Sequence, residues 1–511
     1  MDEQKKTNFY VATAIPYVNA KPHIGNAMDY MLADTLARYH RSLGDNVYFQ
    51  VGSDEHGNKI AARAAEAGKT PQEYTDSMVP AFHEMLTALN ISYTDFVRTT
   101  EQRHEAAAQT IWRQLEPYIY KGTYQGWYCV GCESFVTNKQ ATANNGVCPD
   151  HNQPYVQLSE ENYYFKLSAF TEQVKLALES NMIKIEPEFR KKEILNLIKD
   201  GLDDISISRP RKNLSWGIPV PGDDGHVMYV WFEALINYVS ILGYPDSDLY
   251  RQFWPADVQV VGKDILRFHA AIWPAMLIGI GAPLPRKLLV HGFVNVAGAK
   301  MSKTVGNVVD PIEIATQYGV DAFRYFFLRH IPTLDDGDFT WEKFETAYNN
   351  ELGNELGNLV QRVSSMIIRY QNGLVGVLDP AVHDTMAYHA AMVELRLNDA
   401  FGEAWSMVRQ LNVYLEEVKP WQVAKGGEAE AGHLSEILSY AAGSLVHIAE
   451  LLAPFMPATA ESIKTSFSAD IVQPTAALFP KIFNHTQDPR AAKPVAVTAP
   501  AVPPTPPINN G

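Results

Sequence analysis

Apolar runs and helical stripes take turns along the first part of this chain. Phe9–Val18 is mostly apolar and reads as a buried strand. From His23 to Leu43, the residues Ile24, Ala27, Met28, Met31, Leu32, Leu36 and Tyr39 recur at helical spacing, and Gly44 marks a stop. Val47–Val51 is the next strand, followed by the polar Ser53-Asp54-Glu55-His56-Gly57 and an Ala-rich helical stretch. Thr70-Pro71-x-Glu73 opens a further helix. Strand, helix, strand, helix predicts a parallel sheet that holds ligands at the carboxyl ends of its strands.

Near Tyr120 the pattern breaks. Residues 120–160 are rich in Gly, Asn, Cys and aromatics and look like an inserted module. Alternation returns with Val227–Val230, Val258–Val261 and Leu288–Val294, each expected as a strand. Beyond about Trp341 only helical periodicity persists, with Leu352, Leu356, Leu359, Val363 and Ile367 as one stripe, so a helical bundle is expected there. From about residue 484 the chain is Pro- and Ala-rich, ending Pro503-Pro504-Thr505-Pro506-Pro507, which predicts a disordered tail.

With 511 residues the chain is too long for a single core. Its 46% hydrophobic and 20% charged content is that of ordinary globular proteins. The most apolar stretch, Ala270–Pro285, is interrupted by Pro274, Gly279 and Gly281 and is too short to span a bilayer. The start, Met1–Asn8, is polar, unlike a secretory signal, so the cytoplasm is the expected setting. A net charge of −15 argues against indiscriminate nucleic-acid binding, and the basic runs Arg190-Lys191-Lys192 and Arg209, Arg211, Lys212 read as solvated faces.

Three groups of residues carry chemistry. Cys129-x-x-Cys132 and Cys148-x-x-His151 use every cysteine, at the spacing of a zinc knuckle with three thiolates and one imidazole. Four protein ligands leave no open position, so such a Zn²⁺ is structural. His23-Ile24-Gly25-Asn26 follows a strand and opens a helix, where Gly25 lets a base approach the backbone and His23 and Asn26 can donate to phosphate oxygens. Lys300-x-x-Lys303, flanked by Gly298 and Gly306, offers two ammonium groups suited to a departing pyrophosphate. Either of the last two alone is a weak signal; together they point to an enzyme that attacks a nucleoside triphosphate.

The two signatures resemble the paired HIGH-type and KMSKS-type motifs of class I aminoacyl-tRNA synthetases. More narrowly the chain resembles the methionyl-tRNA synthetase family, through Ala14-Ile15-Pro16-Tyr17-Val18-Asn19, Ser53-Asp54-Glu55-His56-Gly57, Tyr229-Val230-Trp231-Phe232-Glu233-Ala234, Gly262-Lys263-Asp264-Ile265, Phe268-His269 and Trp273-Pro274-Ala275-Met276. The likeness runs in order from about residue 8 to about residue 470.

The resemblance implies an α/β fold: a split Rossmann-like parallel-sheet catalytic domain, an inserted zinc-knuckle module and a C-terminal all-α anticodon-binding domain. On that scheme residues 1–118 and 216–297 are the two catalytic halves, 119–160 the zinc insertion and 161–215 the rest of the connective insertion. Residues 298–345 carry the KMSKS loop and stem contact, 346–483 the anticodon domain and 484–511 the tail. It implies ATP (with Mg²⁺) held by His23, Gly25, Asn26, Gly262, Asp264, Lys300, Ser302 and Lys303, with His23, Asn26, Lys300 and Lys303 catalytic. Asp54 would pair with the substrate ammonium, and Ile15, Tyr17, Trp231, Ala234, Leu235, Tyr238, Ile265 and His269 would wall the L-methionine pocket. Such walls suit a thioether, with a Tyr hydroxyl or His N–H available to its sulfur. Arg209 matches a basic residue near the adenylate.

For tRNA(Met), the resemblance implies anticodon contacts by Asn358, Arg362 and Trp421. The chain is expected to act as a monomer, without membrane attachment. Three positions depart from the usual family motifs: Asn26 stands for a second histidine, Thr304 for a serine, and the zinc set holds one histidine. The alternatives are another small class I synthetase, such as one for cysteine, and a tRNA-binding paralogue with weakened chemistry. A cysteine enzyme needs its zinc thiolates inside the amino-acid pocket, whereas these ligands lie in a separate insertion. Synthetases for Leu, Ile or Val carry a large editing insertion that is missing between the two signatures here.

Overall fold

The computed structural model describes residues 6–131, 134–136, 138–149, 152–300, 308–375, 378, 384–468, 471–474 and 476–482. Three strands, β1 (Asn8–Thr13), β2 (Asn46–Ser53) and β3 (Asp95–Arg98), lie side by side in one half of a six-stranded parallel sheet. On the other side of β1 follow Val258–Gly262, Lys287–His291 and, at the edge, Lys184–Glu186. The edge strand comes from the segment expected as the remainder of the connective insertion.

Period-2 alternation sends neighbouring side chains of β1 into different cores. Phe9 and Val11 join one with α1 (Ile24–Ser42) and the C-terminal helices. Tyr10 and Ala12 join the other, with Ala107, Ile111, Trp112 and the 234–242 region. The apolar run Phe9–Val18 is therefore shorter as a strand than its composition implies. Its ladder ends where Pro16 has no N–H to give, and Tyr17 then bridges to Asp54 across the top of the sheet.

The predicted stripe of α1 is buried, and so are Tyr30, Ala33, Asp34, Thr35 and Ala37. The C-terminal helices cover that second side. Asp34 pairs there with Arg324 at 2.8 Å, and the same guanidinium donates to the carbonyls of Phe455 (2.7 Å) and Pro454 (3.0 Å). Burial works against ionising Asp34, but Arg324 and Arg38 outweigh it and hold its carboxyl below the usual range.

Two expected strands differ. The Val227–Val230 run lies at the end of Asp223–Met228, which is antiparallel to Ser208–Pro210 and Pro219–Val220 in a separate small sheet. A short apolar run does not reveal which sheet it joins. Leu288–Val294 is split into Lys287–His291 and Val294–Val296, which belong to different sheets. The break falls at Gly292, where a Cβ would lie 2.1 Å from the Asp335 backbone.

The insertion is an antiparallel ribbon of Ile119–Cys129 and Val156–Phe165, flanked by Ser134–Val136 and Ile205–Ser206. From Trp341 onward the regular elements are helical, and Leu352, Leu356, Leu359, Val363 and Ile367 are all buried. Among the described residues no helix is long and apolar enough to cross a membrane. The Pro-rich tail expected over 484–511 lies outside the described residues.

Candidate active site

Strand order reverses at β1. From β1 the chain winds outward to β2 and β3, and later returns to place Val258–Gly262 on the opposite side. At such a switch the segments leaving neighbouring strands part, and a crevice opens beyond their carboxyl ends. Here it is a cavity of about 270 Å³. Its walls are the residues after β1 (Ile15, Tyr17), after β2 (Asp54), the amino end of α1 (His23, Gly25, Asn26), the helical stretch with Trp231, Ala234, Leu235 and Tyr238, and the end of the 258–262 strand with Gly262, Asp264, Ile265 and His269. Fourteen residues predicted from sequence are thus brought to one cavity.

One end is aromatic and aliphatic. Trp231 stacks on Phe268 with centroids 4.1 Å apart, and Tyr17 meets Trp231 edge-on at 6.0 Å. His269 Nδ1 lies 2.9 Å from the Ile265 carbonyl, which can only accept, so Nδ1 carries a proton. Burial lowers the His269 pKa to about 4, so the ring is neutral and Nε2 accepts from the Tyr238 hydroxyl at 2.8 Å. This corrects the expected chemistry of the pocket: both protons are already committed, and neither His269 N–H nor Tyr238 O–H is left for a sulfur atom.

Behind this wall sits a buried acid. Glu233 lies between His56 Nδ1 (3.0 Å) and His104 Nε2 (2.8 Å). Burial opposes its charge, but the two imidazoles hold its pKa low. Arg98 grips Glu55 with bonds of 2.7 and 2.8 Å, and Trp216 Nε1 donates to the Glu55 carbonyl at 2.6 Å. The segment presenting Asp54 is therefore clamped from several directions, as a preorganised site requires.

The other end is polar. His23 is the N-cap of α1: its Nδ1 accepts from the Gly25 N–H at 3.0 Å, while its own N–H donates to Asn26 Oδ1 at 3.1 Å. The asparagine that replaces a second histidine thereby completes a capping box, and its NH₂ is the part that can donate to a ligand. The positive end of the α1 dipole faces the cavity, as at other anion sites. At Gly262 a Cβ would lie 2.7 Å from Asp264 Oδ1, so a side chain there would displace that carboxylate.

The family model "tRNA synthetases class I (M)" matches residues 9–157 and 150–364. The methionine–tRNA ligase of Caldanaerobacter subterraneus subsp. tengcongensis is 42% identical over 469 residues, 89% of this chain and 73% of that protein. That of Streptomyces coelicolor is 40% identical, over 92% of this chain and 91% of its own. A solved structure of the Mycobacterium tuberculosis methionyl-tRNA synthetase in complex with methionyl-adenylate superposes with a TM-score of 0.86 at 36% identity, covering 93% of this chain and all of that one. The chain belongs to the methionyl-tRNA synthetase family.

Among the remaining expected residues, the backbone of Lys300 lies in Ala299–Lys300, which pairs antiparallel with Asn295–Val296, whereas Ser302 and Lys303 lie outside the described residues. Arg209 is not part of the cavity. Its guanidinium makes two 2.8 Å bonds to Glu160 inside the insertion. Arg209 and Lys191 are buried, which corrects the solvated-face reading at those two positions, whereas Lys192, Arg211 and Lys212 are exposed as expected.

Of the expected zinc ligands, Cys129 and Cys148 are buried in a small cluster with Val136, Ala141 and Tyr155, while Cys132 and His151 lie outside the described residues. Cys129 pairs with Ser134 in the small sheet, and the Cys148 N–H donates to the Gln153 carbonyl at 2.9 Å. Two buried thiols in one small cluster fit a thiolate-rich metal. Among the described residues no three such donors converge.

In the helical part Asn358 is exposed at the start of Asn358–Gln371. Arg362, one turn on, bonds Glu416 at 2.5 Å and Asn412 Oδ1 at 3.2 Å. Trp421 is half-buried against the helical core. The cavity also takes in Ala14, Pro16, Asp29, Asn237, His291 and Phe293, which sequence reasoning did not single out. Signals for two of them were present: Asp29 lies one helical turn beyond Asn26, and His291 is a polar residue closing an apolar strand.

Proposed function

We propose that this cavity binds L-methionine and Mg²⁺-ATP end to end and forms methionyl-adenylate, which then charges tRNA(Met). A methionine carboxylate oxygen attacks the α-phosphorus in line, and the bond to the β,γ-pyrophosphate breaks. The 2′-hydroxyl of the terminal adenosine then attacks the acyl carbon and AMP leaves. Asp54, at the carboxyl end of β2, pairs with the substrate ammonium. Ile15, Tyr17, Trp231, Ala234, Leu235, Tyr238, Ile265 and His269 enclose the thioether by shape and dispersion. His23 and the Asn26 amide meet the phosphates, Gly25 and Gly262 admit the nucleoside, and Asp264 takes the ribose. Lys300 and Lys303, with Ser302, neutralise the departing pyrophosphate.

One observation supports this reading above the others: residues from both halves of the sheet, apolar at one end and phosphate-suited at the other, meet in one crevice. Cys129, Cys132, Cys148 and His151 would hold a structural Zn²⁺ that fixes the insertion. Asn358, Arg362 and Trp421 would read the anticodon, Trp421 by stacking on an unpaired base. The expected setting is the cytoplasm, with the chain acting as a monomer.

Aminoacylation of methionine tRNA with and without its CAU anticodon, beside methionine-dependent pyrophosphate exchange, tests the whole proposal. A Lys303→Ala enzyme is expected to exchange pyrophosphate about a hundred- to a thousand-fold more slowly, the scale of removing one preorganised charge-stabilising group. Exchange at the parental rate would refute the assignment.

A further inference from the structure

Asp29 and His291 line the nucleotide end of the cavity and have no part in the scheme above. Asp29 lies in the second turn of α1, three residues past Asn26. His291 closes the Lys287–His291 strand and stands opposite Gly262 in the sheet register. Its Nδ1 is 2.8 Å from the Gly292 carbonyl oxygen, and its Nε2 is 2.5 Å from Asp29 Oδ1. A carbonyl and a carboxylate both accept. An imidazole can satisfy two acceptors only when each nitrogen bears a proton. The residue is only 5% exposed, so water has little room to substitute for either partner.

We infer that His291 is a positioning residue for adenylate formation: doubly protonated between Asp29 and the Gly292 carbonyl, it ties α1 to the second half of the sheet and sets the His23–Asn26 cap against the ribose wall at Gly262 and Asp264. The inference rests on the assignment of that end of the cavity to the nucleotide. Asp29 and His291 are 262 residues apart in sequence and come from opposite halves of the split fold. The contact therefore fixes a distance that neither half can set alone. A Cβ on Gly262 would lie 3.8 Å from His291 Cε1, so the ring stands directly beside the proposed ribose wall.

The charged and titratable groups around the ring come from several elements. Asp29 faces it from α1, and Asp264 from the segment after Val258–Gly262. His269, from the same segment, and Tyr238 also feel the Asp29 charge. Lys263 is paired with Asp336 at 2.7 Å, and Asp336 accepts from the Phe293 N–H at 2.9 Å. Burial works against protonating His291, but attraction and hydrogen bonding to Asp29 outweigh it and raise its pKa above the ordinary histidine value. The clamp is closed below the ordinary histidine pKa and opens as pH rises through that raised value.

The test uses the full chain. With ¹⁵N-labelled imidazoles, His291 is expected to be mostly protonated on both nitrogens at about pH 6.5, the ordinary histidine midpoint, to titrate above it, and to titrate lower in Asp29→Asn. In pyrophosphate exchange, His291→Asn should raise KM for ATP about ten- to a hundred-fold, the cost of slight misplacement of reacting groups. Its KM for methionine should stay unchanged, as should the change in tryptophan fluorescence on adding methionine. The parent enzyme should lose kcat/KM for ATP along an alkaline limb that the variant lacks. A His291 that titrates at or below about pH 6.5, a parental KM for ATP in His291→Asn, or an effect confined to methionine would each overturn the inference. The wild-type titration decides the matter should the variant not fold. Failure of the nucleotide assignment itself would show differently, as a His23→Ala enzyme with unaltered KM for ATP.

Discussion

The two ends of the cavity are built on opposite electrostatic plans. At the apolar end the imidazole of His269 is neutral, because burial drives its pKa down to about 4 and its Nε2 accepts from Tyr238. Roughly opposite, at the polar end, His291 is equally enclosed, yet Asp29 beside it raises its pKa. Burial is common to both histidines and the neighbouring carboxylate makes the difference. An uncharged substrate tail calls for a wall with no net charge and its donors already matched. A triphosphate calls for fixed donors and a helix dipole. The comparison shows that burial alone does not assign a histidine's charge; the partners at each nitrogen do.

The largest effect that would sharpen this contrast is expected at the junction of the two ends. Asp54→Asn should lower kcat/KM for methionine by about two to three orders of magnitude, since removing one member of a buried charge pair costs about 2–5 kcal/mol, while KM for ATP should change little. A smaller effect is expected from Tyr238→Phe, which leaves His269 Nε2 without its donor. That loss costs about 1–3 kcal/mol, and KM for methionine should rise about ten-fold in exchange assays at fixed ATP. An unchanged KM would break the idea that the Tyr238–His269 bond shapes the pocket.

The smallest effect is on stability, and its sign differs between the ends. Unfolded His269 takes up a proton below about pH 6.5, which the folded protein refuses until about pH 4, so this group makes stability rise with pH across that window. His291 acts in the opposite sense. Its pKa is raised on folding, so its contribution is complete below about pH 6.5 and is lost as pH climbs through the folded value. Thermal melts of His269→Gln should lose the acid-side slope, and those of His291→Asn the alkaline one, each by a few degrees at most.

Much of the site was legible in the chain because its residues sit at strand ends in short linear motifs. His23, Gly25 and Asn26 share one helix start, Asp54 closes one strand, and Gly262 and Asp264 end another. Asp29 and His291 carried the same positional cues. Their meaning depends on each other, and no spacing rule links residues on opposite sides of a split fold. Trp231 and Tyr238 illustrate a second limit: an aromatic stripe is compatible with plain core, and only the position of the helical stretch over the crevice makes it a wall. The Val227–Val230 run had the composition of a strand but no indication of its sheet, which pairing of distant segments decides.

The sequence by itself determined the local matters: which runs become strands or helices, where α1 starts, and which residue types stand at the strand ends. Those follow from periodicity, proline and capping, whose physics acts within a few residues. Tertiary structure alone decided the protonation of His269 and His291, the burial of Arg209 against Glu160, and the break of the Leu288–Val294 run at Gly292. Charge state and close approach depend on what distant parts of the chain bring near, because electrostatic and packing energies are set by distance in space.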